Sequence, residues 1–399
     1  MALRAEVKNR RPHVAIFNCA EHGHVNPTLG LVNALVARGY RVSYTTSAEF
    51  APLITACGAE PVIYQPAFSK ETPRPEEMGH VVVELAKEAT LTWDGLFHAF
   101  ADDRPDIIAY GPLSWLGKIF AALWNIPSVA LNPTHASYQG QSEEWLGIAG
   151  NAWPCLPLLN ALLKSKGVVL DLSALLSRHD NAIAFIPRCF QEKVETVDPR
   201  VIFVGPEIVA RPAEHKWRPA SQARPVVVVS LGSVYTNQRD FFRTCIAAFA
   251  DSEFHLVLSI GRYVTPDELG PVAANIEVHA QIPQLEVLQS ASLFITHAGM
   301  NSLMEAAHFG VPVIAVPQQA EQRLNARRVQ QLGLGVHLPR EQVDADGLLS
   351  AARALHASEI CRTQIARFQQ QLKAAGGASA AADLFDRLFA SLQRRAQAI

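Results

Sequence analysis

Short apolar runs alternate with helix-length segments along most of this chain, and that alternation constrains the fold more than any other feature. His13 to Asn18 (HVAIFN) is strand-like. Asn26 and Pro27 then supply an N-cap and a first helical residue, Leu31 and Leu35 continue an apolar face, and Gly39 is a natural stop. Tyr40 to Thr46 predicts a second strand, Ala48 to Cys57 a second helix ended by Gly58, and Pro61 to Tyr64 a third strand. This is a βαβαβ unit, which requires a parallel sheet. It continues with a helix from Glu76 to about Phe100, a strand at Asp106 to Tyr110, a helix at Leu116 to Trp124 and a strand at Ser128 to Leu131.

The alternation lapses over residues 132–180, a Trp-, Leu- and Pro-rich stretch that reads as an insertion, more a binding lid than filler. Strand-like runs return at Ala182 to Ile186 and Val201 to Val204. Residues 206–225 then hold several prolines and charges without periodicity, which marks a linker. The pattern restarts with Val226 to Leu231, Asp240 to Ala250, His255 to Ile260, Asn275 to His279, Ser292 to Thr296, Ser302 to Phe309 and Val311 to Val316. From Asp344 the chain is helical. The expectation is an α/β protein of two domains, 1–205 and 226–380, with parallel sheets facing across a cleft. Ligands of such sheets lie beyond the carboxyl ends of the strands.

A length of 399 residues with 49% apolar and 18% charged residues supports two packed cores and argues against disorder. The balance of 35 basic against 37 acidic side chains disfavours nucleic acid as a partner. No window approaches the roughly 18 to 20 apolar residues of a membrane span. Trp153 to Leu163, the most apolar stretch, is broken by Pro154 and Pro157. The six cysteines form no C-x-x-C pair, and the N-terminus has no signal-peptide core. A cytoplasmic protein with reduced thiols is expected.

The densest chemistry lies in Ser292 to Gly335 (SLFITHAGMNSLMEAAHFGVPVIAVPQQAEQRLNARRVQQLGLG). A strand ends at Thr296, His-Ala-Gly turns, and a helix begins near Met300. Free amides and the helix dipole at such a start suit a phosphate. Ser302 adds a hydroxyl, His297 a ring donor, and Glu305 lies one turn on, where a carboxylate can accept from a ribose diol. A capped helix with one buried acid fits the spacing equally well.

This stretch resembles the nucleotide-sugar signature of the UDP-glycosyltransferase superfamily, in its branch of bacterial macrolide and natural-product glycosyltransferases. The resemblance extends to Val226 to Asn237 (VVVVSLGSVYTN), His279 to Leu288 (HAQIPQLEVL) and His22 to Pro27 (HGHVNP). It implies the GT-B fold, with the acceptor bound by the first domain, the donor by the second, and a C-terminal helix, 381–399, crossing back. It also implies donor contacts: His297, Ser302, Asn301, Ser233, Gly232 and Gly299 at the diphosphate, Glu305 at the ribose, and Gln284 with the Ile282 backbone at the base. Glu321 and Gln322 would hold the hydroxyls of the transferred sugar. The family's base-stacking aromatic is replaced by Gln281, which leaves UDP first and dTDP second. The nucleotide-sugar is the co-substrate, and no cofactor or metal is implied.

By the same resemblance His22 is the base that deprotonates the acceptor, with His24 structural. Read from the residues, His22 and His24 could also be a metal pair, though no third ligand is suitably spaced. The aspartate that usually orients the base is replaced by Gly111. Asp106 begins the same strand and belongs at its far end; Ser114 offers only an uncharged hydrogen bond. Trp93, Phe97, Trp115, Tyr138 and Trp145 are candidates for an apolar acceptor pocket, or for core packing. Leu332-Gly-Leu-Gly335 reads as a helix stop, and Arg327-Arg328 as a solvated face. The expected activity is inverting, metal-independent transfer of a hexose, glucose first, to a small apolar and preferably phenolic acceptor. A non-catalytic partner protein and a nucleotide-sugar epimerase or hydrolase are the alternatives, and no oligomeric state is implied.

Overall fold

The computed structural model describes residues 11–66, 78–146, 153–177, 181–209, 217–218, 224–234 and 236–398. The chain divides into two compact units, split between Val209 and Ala210 and again between Ala374 and Ala375. The first holds strands β1 (His13–Phe17), β2 (Arg41–Thr46), β3 (Glu60–Ile63), β4 (Ile107–Tyr110), β5 (Ser128–Asn132), β6 (Ala182–Ala184) and β7 (Val201–Phe203). They form one sheet in the order β3-β2-β1-β4-β5-β6-β7, every pairing parallel. The second holds β8 (Val226–Ser230), β9 (His255–Ser259), β10 (Ile276–His279), β11 (Ala291–Thr296), β12 (Val313–Ala315) and β13 (Gly335–His337). Its order is β10-β9-β8-β11-β12-β13, again parallel throughout.

Parallel strands covered by helices on both faces are buried on both sides, which explains runs such as VVVVS in β8, buried at every position. In β1 the alternation of side chains divides the first unit's core in two. Val14 and Ile16 join Leu31, Leu35 and Phe385 on one face, while Ala15 and Phe17 join Trp93, Phe120 and Leu159 on the other. Leu332-Gly-Leu-Gly335 is the helix stop expected of it, with helix Ala320–Gln331 ending there and Gly333 at φ of 70°, and the unexpected strand β13 begins at its last glycine. A side chain at Gly335 would meet the Val313 carbonyl oxygen, so only glycine lets this strand pair with β12.

Three boundaries differ from those expected. The helix placed at Asn26 begins earlier, with a helical turn at His22–Val25 and a 3-10 turn at Asn26–Thr28 before the helix Leu29–Ala37. Residues 132–180 are in part a core element. Helix Leu156–Ser165 takes Pro157 in its first turn, where no hydrogen bond is lost, and buries Leu159, Leu162 and Leu163. The apolarity of this stretch therefore belongs to packing; residues 147–152 and 178–180 lie outside the described residues. The proline-rich stretch 206–225 is anchored where it is described: Glu207 accepts from the Ala378 amide, and Trp217 donates to Glu286 and Glu277.

The C-terminal return starts at Ala375 rather than 381. Gly376 and Gly377 adopt φ of 90° and 56°, and the Gly377 amide donates to the Val204 carbonyl at 2.8 Å. Helix Gly377–Ala398 then lies on helix Leu29–Ala37 of the first unit. Arg38, at the end of the latter, bonds to Asp383 at 2.7 Å and Asp386 at 2.6 Å. These exposed bonds fix register, while Ala381, Ala382 and Phe385 supply the buried area. Phe385→Ala should therefore destabilise the first unit by roughly 3 to 5 kcal/mol. Denaturant unfolding checks this; a loss below about 1 kcal/mol would show that the helix is not part of that core.

Candidate functional site

In each sheet the strand order reverses between two neighbours, β1 and β4 in the first unit, β8 and β11 in the second. Loops leaving the carboxyl ends of such a pair diverge, and the opening between them is where ligands of this architecture bind. The residues singled out from sequence fall at these two points. Gly232 follows β8 and His297 follows β11, with Ser230 and Thr296 paired across the strands. His22 follows β1 and Gly111 follows β4, with Phe17 paired to Tyr110.

In the second unit the His297 ring is clasped by glycines. A Cβ at Gly232 would lie 2.7 Å from ring Cε1, and one at Gly299 would lie 2.4 Å from Nε2. Gly232 also has φ of +80°, so the loop needs glycine for conformation as well as space. Burial lowers the His297 pKa to about 4, partly offset by a hydrogen bond to the Ser230 backbone. A neutral ring carries one N–H, for which the Ser230 backbone and Thr296 Oγ1, 3.3 Å from Nδ1, compete. Diphosphate recognition by His297 as a donor, expected from the sequence, would require this bond to be exchanged or the ring protonated.

Ala298, fully buried, takes φ of +63°, a conformation that costs a residue with a side chain roughly 1 to 2 kcal/mol. Asn325 holds it there, donating from Nδ2 to the Ala298 carbonyl at 2.9 Å and to Glu321 Oε1 at 3.2 Å. One buried amide therefore joins the turn after β11 to helix Ala320–Gln331, which carries Glu321 and Gln322. Helix Met300–Phe309 starts from Gly299 with no side-chain cap and no acid in its first turn. Ser302 and Glu305 are buried on it. Gln284 Nε2 donates to Glu305 Oε2 at 2.6 Å. Gln284, expected beside the base, is thus bonded to Glu305, the acid expected at the ribose. Gln322 Oε1 accepts from the Gln318 amide at 2.9 Å, leaving its Nε2 to donate. Asn301 and Ile282 are half-buried; Ser233 and Gln281 are exposed. Arg327 is exposed, as expected of a solvated face, whereas Arg328 is half-buried with its Nε enclosed.

In the first unit Glu21 is extended and His22 opens the helical turn His22–Val25, exposed and edge-on to Phe50 with ring centroids 4.8 Å apart. His24 is a different kind of residue. Burial lowers its pKa to about 4, and its Nδ1 is enclosed, which fits the structural role expected of it. The space behind Gly111 is filled by Asn18. A Cβ at Gly111 would lie 2.3 Å from Asn18 Oδ1. Asn18 is itself held by bonds from Nδ2 to the His24 carbonyl at 2.8 Å and to the Tyr44 hydroxyl at 2.9 Å. Asp106 lies at the amino end of β4, accepting from the His13 amide at 2.8 Å. Ser114 Oγ is 3.7 Å from Cys19 Sγ. Burial first, and Glu88 second, push the Cys19 thiol up to about 12, so it is no nucleophile.

The aromatic candidates separate. Trp93, Phe97 and Trp115 belong to the core between the sheet and its helices, Trp93 lying edge-on to Phe120 at 4.9 Å. They show the core packing that the sequence left open as the alternative. Tyr138 and Trp145 form another group, with Trp145 Nε1 donating to the Tyr138 hydroxyl at 3.1 Å and that hydroxyl to Glu144 at 2.7 Å.

Residues 181–371 match the family described as "UDP-glucoronosyl and UDP-glucosyl transferase". The chain is 35% identical over 379 residues to the NDP-glycosyltransferase YjiC of Bacillus subtilis (strain 168), covering 94% of this chain and 96% of that one. It is also 35% identical to the oleandomycin glycosyltransferase of Streptomyces antibioticus, over 94% of this chain and 90% of the relative. The chain belongs to the UDP-glycosyltransferase family. Among solved structures, the kitacinnamycin glycosyltransferase superposes with a TM-score of 0.85 at 33% identity, covering 95% of this chain and 99% of the other. The two units are thus those of a GT-B glycosyltransferase. Among the described residues no helix is long and apolar enough to cross a membrane.

Sequence reasoning missed two residues that organise this glycosyltransferase. Asn325 lies one helical turn beyond Glu321, a spacing that was available as a signal. Asn18 carried none, since its position opposite Gly111 depends on strand pairing. Gly111→Asp should cost roughly 1 to 3 kcal/mol from overpacking against Asn18, and Asn18→Ala/Gly111→Asp should recover most of it. Equal stability of Gly111→Asp and wild type in urea would refute this.

His24 and His297, half-buried with their charged forms desolvated, set an acid dependence. An unfolded chain protonates each near pH 6.5, whereas the folded rings resist until about 4. Their contribution is complete above pH 6.5, declines as pH falls towards about 4, and is lost below it. His24→Gln should flatten the fall in urea midpoint across that window; an unchanged slope would assign it to other groups.

Proposed function

We propose that this glycosyltransferase transfers a hexose, glucose first, from UDP to a small, largely apolar natural product, with inversion and without a bound metal. dTDP-sugars are the second donor class. The observation that carries this reading is the Gln284–Glu305 bond, set behind the uncapped start of helix Met300–Phe309. A carboxylate paired with an amide suits the vicinal hydroxyls of a ribose, and the open amides suit the diphosphate. Glu321 and Gln322 supply an acceptor and a donor for sugar hydroxyls. The names of the relatives, an NDP-glycosyltransferase and an oleandomycin glycosyltransferase, support the same donor and acceptor classes. We place the enzyme in the cytoplasm, where its six unpaired thiols would stay reduced.

The acceptor oxygen attacks the anomeric carbon in line as the bond from that carbon to the β-phosphate oxygen breaks. The acceptor's proton passes to His22, and UDP leaves with the bonding pair, its charge met by the amides around Gly232 and Gly299 and the Ser302 hydroxyl. A diphosphate beside His297 would raise the imidazole pKa and favour a second donor there.

By the resemblance, Gly111 stands where the family's aspartate orients the base, and Asn18 fills the space there; that aspartate would have stabilised the imidazolium. Phenols and other acidic hydroxyls should then be preferred over aliphatic alcohols. The test is incubation with UDP-glucose, UDP-galactose, UDP-GlcNAc and dTDP-glucose and an acceptor panel graded in pKa, read by mass spectrometry. Glu305→Ala should raise the donor KM by roughly tenfold or more while the acceptor KM changes little, since a hydrogen bond to a charged group is worth roughly 1.5 to 3 kcal/mol. Equal weakening of both substrates, or a wild type that favours aliphatic alcohols, would refute the assignments.

A further inference from the structure

Beyond the carboxyl end of β12 the chain buries an amide that nothing among the described residues satisfies. Gln318 is only 7% exposed, and among the described residues neither its Nε2 nor its Oε1 has a hydrogen-bond partner; the Oε1 of Gln319 is enclosed in the same way. A primary amide offers two donors and an acceptor with two lone pairs, and enclosing both ends unmet is costly enough that folds rarely retain it without use.

The position of this amide is informative. Ala315 ends β12, and the Val316 amide donates to the Thr296 carbonyl at 2.7 Å, which keeps this segment beside the turn that carries His297. Gln318 follows within three residues and gives its backbone N–H to Gln322 Oε1 at 2.9 Å. Its main chain thus orients one of the two side chains read above as sugar ligands, while its own side chain is buried with its valences open. A site that satisfies such an amide must bring both a donor and an acceptor, as a sugar hydroxyl does. We propose that the Gln318 side chain bonds a hydroxyl of the transferred sugar, as a third specificity residue beside Glu321 and Gln322, and so makes the enzyme prefer fully hydroxylated hexoses to deoxy sugars. This rests on the reading of Glu321 and Gln322 as the sugar site.

The experiment compares full-length wild type, Gln318→Leu and Gln318→Met on UDP-glucose and on analogues each lacking one hydroxyl. It reads kcat/KM with one acceptor, and UDP affinity by calorimetry. Wild type should reject one analogue by roughly tenfold or more, because a buried amide is left unmet when its hydroxyl is missing. In both variants that penalty should vanish, UDP-glucose turnover should fall by roughly tenfold, and UDP affinity should stay unchanged. Two variants of different shape guard against a packing effect in either. Survival of the penalty, equal loss on every donor, or weakened UDP binding would overturn the proposal and leave Gln318 as the site of an enclosed water. A wild type that transfers sugar from no nucleotide donor would overturn the underlying reading as well, which separates the two failures.

Discussion

The molecule's chemistry depends on the reversal of strand order at the centre of each parallel sheet. Parallel pairing requires each strand to be followed by a crossover, and where successive crossovers pass to opposite sides the loops part. Between β1 and β4 that opening is framed by the segments carrying His22 and Gly111, and between β8 and β11 by those carrying Gly232 and His297. The residues that matter are far apart in sequence in both cases. Backbone hydrogen bonding of the central strands brings them together, and the helices on either face hold that bonding in place.

Within the second unit, the turn after β11 stores unfavourable geometry that its surroundings maintain. Ala298 takes a left-handed conformation and is held by Asn325, while the His297 ring fills the gap between two glycines and is kept neutral by burial. The same asparagine reaches Glu321, so the turn and the following acid–amide pair form one assembly, set by hydrogen bonds that a packed core protects from water.

The first unit shows a different arrangement around Gly111. Asn18 is fixed by its bonds to the His24 carbonyl and Tyr44, and occupies the volume into which a side chain at position 111 would grow. The glycine is therefore half of a complementary pair, a statement about shape that a single-sequence reading of Gly111 as a lost carboxylate does not contain. A carboxylate introduced at position 111 would have to displace Asn18.

How far the sequence reached follows from the range of each interaction. Apolar alternation is a local property, so both α/β units and nearly all strands were legible, and β13 was lost because Gly335 hides it. The stretch SLFITHAGMNS announced a strand, a turn and a helix start because capping and turn chemistry are encoded within a few residues. That Trp93 packs within a core, that Gln284 bonds Glu305, and that Asn18 stands behind Gly111 are decided by residues tens of positions away. Sequence by itself determined the elements, their parallel arrangement and the family to which the motifs belong. Only the tertiary structure decided the neighbours of each side chain, because packing and strand register, unlike propensity, are properties of the whole sheet.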